Sequence, residues 1–261
     1  MSAAPSQDRR RRRNAKSDAV RQGLRPIPPA KIPPARVLKQ IRALLMKDII
    51  TEWRTRETLV TLLFFALLLV IIFAFSMGGD EEVVTNVAPG IIWIAVAFTG
   101  TLAIDRSFAQ EQEGETLTAL VLVPGAARAL FASKTLLNIF YMLLVEALVV
   151  PLVVGILAVP LPGDAILPLC SALLLGTIGF AAVGTVFSAM LVSVRRRGVL
   201  LPIILYPVLI PLLVIGVEAT AVLVSNFPLS EAWSWVKMMA AVDVLYLLGG
   251  GWLFGFVTED E

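Results

Sequence analysis

The sequence predicts an all-α, polytopic membrane protein. It should have six transmembrane helices, an N-terminal interfacial amphipathic helix, and an outer re-entrant hairpin before the last span. Three observations lead there. First, 57% of the 261 residues are hydrophobic, and they gather into runs near the ~20 residues that a ~30 Å hydrocarbon core requires. Second, charged residues make up only 16%, against about 25% in a soluble domain, and they crowd between the runs. Third, the cations are segregated. With the N-terminus inside, 20 of the 22 Lys and Arg residues fall in 1–57, 105–132, 193–197 and 258–261. Lys134 sits at an inner boundary and only Lys237 lies outside. The positive-inside rule therefore places both termini in the cytoplasm.

Residues 1–35 hold an arginine run, Arg9 to Arg13, then Pro26, Pro28, Pro29, Pro33 and Pro34. No apolar periodicity is visible, so the segment reads as a disordered, solvated tail that helps set orientation. It lacks the folded aromatic platform of nucleic-acid readers, and the first apolar run is too long for a signal-peptide core. Residues 36–56 change character. Val37, Leu38, Ile41, Leu44, Leu45, Ile49 and Trp53 recur at helical spacing, with Lys39, Arg42, Lys47, Arg54 and Arg56 as their cationic complement. That pattern suits a helix lying in the membrane interface, with a helix docked on a soluble partner as the alternative.

The six spans are expected at about 58–77, 88–104, 133–158, 165–192, 198–216 and 238–257. The fourth carries Gly176, Gly179, Gly184 and Ser188, and the sixth Gly251-x-x-x-Gly255, small residues that favour close helix packing. Pro202, Pro207 and Pro211 in the fifth span should bend or break it, as a gate would require, with Tyr206 as a partner for a freed carbonyl. Residues 217–236 are too polar to cross and too apolar to float, and Trp233 and Trp235 suit the outer interface. They read as the re-entrant hairpin. Glu146 and Asp243 fall inside spans, where an acid faces protein or a partner. For Glu146, a neutral hydrogen-bonding role and a substrate or partner contact both stay open.

The most informative loop is 105–132. Acids come early (Asp105, Glu111, Glu113, Glu115), followed by an apolar run from Leu117 to Val123 and the Pro124-Gly125 turn signal. Leu117, Leu120 and Val121 share one face of a short helix. Such an element, held between two spans, suits docking on another protein.

Several chemistries are excluded within this chain. With no histidine there is no histidine-ligated haem or metal, no Ser-His-Asp triad and no histidine proton relay. Cys170 is the single cysteine, so no internal disulfide or CxxC pair forms. No GxxxxGK[ST] loop is present, since Ser133 precedes Lys134-Thr135. ATP-driven work would need another polypeptide.

Together these features resemble a permease of the ABC-2 (type V exporter-like) class of ABC transporters. The class has an elbow helix, a coupling loop between spans two and three, six spans and an outer re-entrant hairpin. The loop motif stands here as Glu113-Gly114-Glu115-Thr116-Leu117, then Leu120, Pro124 and the Lys134 that opens span three. Three segments, PGIIWIAVAFTGTLAIDRSFAQEQEGETLTALVLVP, LGTIGFAAVGTVFSAM and RRRGVLLPIILYPVLIPLLV, closely resemble the B-type permease subunits of cytochrome c maturation (haem exporter) systems. The resemblance spans about 36–257.

It implies a cytoplasmic ABC ATPase that holds ATP and Mg, a haem-handling membrane subunit, a small single-span subunit and a periplasmic haem chaperone. This chain would hold no cofactor and would form a homodimer. It further implies ATPase coupling through Arg106, Glu111, Glu113, Gly114, Glu115, Thr116, Leu117, Leu120 and Pro124, with Lys47 in support. A generic ABC-2 exporter of lipid, polysaccharide or drug, and a non-moving scaffold for haem-handling subunits, are the alternatives.

Overall fold

A computed structural model describes residues 34–77, 81–113, 126–191, 194, 197–225 and 227–259, with backbone alone at 34–36, 81, 110–113, 126–128 and 251–259. Among the described residues seven α-helices follow in order: α1 Pro34–Thr55, α2 Glu57–Ser76, α3 Glu81–Glu113, α4 Ala126–Ile156, α5 Ile166–Met190, α6 Arg197–Val224 and α7 Leu229–Glu259. A single 3₁₀ turn, Gly163–Ala165, leads into α5. The tail 1–33 lies outside the described residues.

Among the described residues, five helices are long and apolar enough to cross a membrane: Glu57–Ser76, Glu82–Ala109, Ala129–Ile156, Gly163–Met190 and Arg197–Val224. The sixth expected span, 238–257, falls within α7, whose residues 251–259 are described by backbone alone. α5 is the hub and packs against α3, α4, α6 and α7. Its run from Gly176 to Val186 is almost wholly buried because neighbours surround it on every side. α2, with Val60, Phe64, Ile72 and Phe75 exposed, presents an apolar face outward, as a lipid-facing helix must.

The glycines of α5 turn out to make room for large side chains. Trp93 of α3 is 2% exposed. Its ring lies where a Cβ on Gly176 or on Gly216 would sit, 2.4 Å away in both cases. Its indole N–H donates to Thr220 Oγ1 at 3.0 Å, so the polar handle of a buried tryptophan is satisfied. One aromatic side chain thus pins α3 against both α5 and α6.

Three expectations need correcting. The fifth span is not broken: α6 continues through Pro202, Pro207 and Pro211. The reason is positional. Leu201, Leu205, Leu209, Leu212, Ile215 and Ala219 form a buried stripe on one side, while Pro207 and Pro211 are exposed on the other. The packed stripe carries the helix past the missing donors. Nor does Tyr206 serve a freed carbonyl; its hydroxyl accepts from Thr101 Oγ1 at 3.3 Å. Second, the loop expected at 105–132 is shorter, since α3 runs on to Glu113 and α4 starts at Ala126. Third, Arg197 is no loop cation. It opens α6 with 6% exposure, because Asp105 of α3 receives it: Nε donates to Oδ1 at 3.2 Å and Nη2 to the backbone oxygen at 2.5 Å.

Residues 217–224 and 229–236 are the last turns of α6 and the first turns of α7, continuous with both helices and joined across 225–228.

Candidate functional site

Gly114, Glu115, Thr116, Leu117, Leu120 and Pro124 lie outside the described residues, and Glu111 and Glu113 are placed by backbone only, in the last turn of α3. The two helices that frame this loop, α3 and α4, are described, and so is the amphipathic helix beside them. Here α1 and α2 meet at a corner. Arg56, between them, takes a left-handed backbone with φ 54°, an uncommon conformation for a residue with a Cβ. The turn is held from both sides: the Arg56 N–H donates to Glu52 O at 2.6 Å, and Val60 N–H donates to Arg56 O at 3.0 Å.

The inner face of α1 is not purely apolar. Leu45 and Ile49 pack on the core, yet Asp48 and Glu52 on the same side are 4% and 3% exposed. Leu38, Met46, Ile50 and Trp53 face outward instead. Asp48 Oδ2 accepts from Lys134 Nζ at 2.8 Å, and Lys134 is fully buried. Lys47, part exposed, reaches Asp48 Oδ1 at 3.3 Å, so this carboxylate lies between two ammonium groups.

Glu52 serves two helices at once. Its Oε1 accepts the Leu59 backbone N–H at 2.8 Å, and its Oε2 accepts the Tyr141 hydroxyl at 3.2 Å. The Leu59 N–H is one of the four donors that the start of α2 leaves without an intrahelical partner. A carboxylate there also meets the positive end of the helix dipole. Breaking one partner from a buried ion pair costs about 3–5 kcal/mol, whereas exposed pairs contribute about 0–1 kcal/mol. The exposed pair here is Arg106 Nη1 to Glu57 Oε1 at 3.0 Å, with side-chain exposures of 36% and 74%.

Of the residues singled out for coupling, the structure therefore places Lys47 on Asp48 and Arg106 on Glu57. Asp48, Glu52 and Tyr141 join Lys134, the lysine that opens the third span, in a polar centre that the sequence alone did not assemble. Their signal was available: Asp48 and Glu52 are one turn apart and continue the side that holds Leu44, Leu45 and Ile49.

The two intramembrane acids differ. Glu146, 4% exposed, accepts the Thr177 hydroxyl of α5. Asp243, 3% exposed, has no hydrogen-bond partner for either oxygen among the described residues. It lies over Gly179, where a Cβ would stand 2.1 Å from Oδ1. Glu146 thus bonds α4 to α5, and Asp243 brings α7 against α5 at Gly179. Among the described residues no group of His, Cys, Asp and Glu has the arrangement of a metal site.

Residues 39–252 match the family described as CcmB protein. Curated relatives are named "Heme exporter protein B". The one from Rhodobacter capsulatus is 33% identical over 178 residues, which cover 68% of this chain and 81% of the relative. The one from Paracoccus denitrificans is 32% identical, with 69% and 81% covered. That of Pseudomonas aeruginosa is 28% identical, with 72% and 83% covered.

Proposed function

The chain belongs to the CcmB family, and on that premise we propose that it is the membrane permease subunit of a haem exporter serving cytochrome c maturation. It performs no chemistry of its own. ATP and Mg are held and hydrolysed by a separate cytoplasmic ABC ATPase, and haem is handled by partner subunits. Two copies of this chain face two ATPases in the bacterial inner membrane, with both termini cytoplasmic. A haem-handling membrane subunit and a small single-span subunit complete the assembly. Its output is release of a haem-loaded periplasmic chaperone.

The single observation that carries this reading is the reach of the family match, 39–252, which runs from α1 into the last helix and takes in the whole loop 114–125. Within that frame the loop docks on the ATPase through Glu111, Glu113, Glu115, Thr116, Leu117 and Leu120. The dimerised ATPases drive the permease only by binding its two conformations with different free energy.

Affinity purification of the chain in mild detergent tests the reading. A co-purifying nucleotide hydrolase and a haem-containing membrane protein are expected. Recovery of the chain without any ATPase would contradict it.

A further inference from the structure

Resting on the permease reading above, we propose that α1 and α4 move as one body, joined by Asp48–Lys134 and Glu52–Tyr141. Force entering at the loop before α4 would then reach the first span through Glu52. Lys134 and Glu52 act here as positioning residues.

A single contact between two helices is a pivot, but two separated contacts fix their relative direction. On α1 the contacts are one turn apart, about 6 Å along its axis, and on α4 two turns apart, about 10 Å. Asp48 and Glu52 each point at the same neighbour. A third bond, from Leu59 N–H to Glu52 Oε1 at 2.8 Å, ties the start of α2 to the same carboxylate.

Sliding is opposed by burial. Lys134 is 0% exposed, so if it left Asp48 no water would be at hand to solvate its charge. A shift of one helical turn would bring it opposite Glu52 instead. That exchange would strip Glu52 of its bond to Tyr141 and take Lys134 from Asp48. The yielding contact is the exposed one, Arg106 to Glu57. The amphipathic helix and the third span then tilt together, and the start of α2, tied to Glu52, moves with them against α3 where that exposed pair lies. The covalent chain supports the same assignment, since α4 begins at Ala126, directly after the loop.

The test locks the joint. In a Cys170→Ser background, Asp48→Cys and Lys134→Cys are introduced together. The complex is purified with its ATPase and treated with a bifunctional thiosulfonate that spans the two thiols. Without the crosslink, ATP-driven chaperone release should fall about ten-fold or more while the ATPase stays bound. With it, release should return to near the parent rate, and reductant should abolish the recovery. Crosslinked complex that still hydrolyses ATP but releases nothing would overturn the inference, because the helices would then have to slide. Full release by the untreated cysteine pair would overturn it too. A complex lacking any ATPase would overturn the permease reading, and the inference with it.

Tyr141→Phe removes one contact without touching the ion pair. It should lower release a few-fold at unchanged protein level and unchanged ATP hydrolysis, and unchanged release would count against the joint.

Discussion

At the scale of single residues, the decisive feature is a charge out of water. Lys134 is fully buried and bonded to Asp48 at 2.8 Å, a carboxylate that Lys47 also reaches. Lys134→Met keeps the volume but takes from the buried carboxylate its buried partner, leaving the part-exposed Lys47 at 3.3 Å. We expect it to destabilise the protein by about 3–5 kcal/mol, read as a lowered unfolding midpoint in detergent. Adding Asp48→Asn removes the buried charge and should recover most of that loss. Equal loss in the double variant would mean that packing, rather than charge pairing, holds the site. The contrast with Arg106 and Glu57 is one of solvent. Both are substantially exposed, and removing either should change stability by about 0–1 kcal/mol.

At the scale of elements, helix positions were legible because length and hydropathy decide them. The fifth and fourth spans lie within two residues of expectation at their starts, Arg197 and Ile166, since apolar runs bounded by charge leave little choice. What the local sequence could not reveal was how far helices run into polar territory. α3 passes Asp105 and Arg106 to reach Glu113, because both side chains find partners on other helices, Arg197 and Glu57. The prolines of α6 misled for a related reason. Proline spacing announces lost donors, but only the fold tells which side they face. Here two of the three point outward, away from the stripe through Leu205 and Leu209. Pro207→Leu and Pro211→Leu should therefore leave stability and turnover nearly unchanged, whereas Leu209→Ala should cost about 2–5 kcal/mol. Thermal unfolding and ATP-driven release, measured together, check this. Lost turnover at normal stability in the proline variants would restore them as a gate.

At the scale of the whole molecule, the five candidate spans among the described residues form a bundle with α5 at its hub and Trp93 as its central wedge. Composition announced the membrane bundle before any geometry. The wedge was hidden, since a tryptophan and two distant glycines, Gly176 and Gly216, make sense only when three helices meet. The same holds for the joint of α1 with α4, whose partners lie 86 and 89 positions apart in the chain. In the proposed permease, force enters through the loop between α3 and α4. Photo-crosslinking from a reactive group at Leu117 in intact membranes tests it most directly. Capture of a cytoplasmic nucleotide hydrolase is the predicted result, and labelling of Leu117 from the periplasmic side would contradict it.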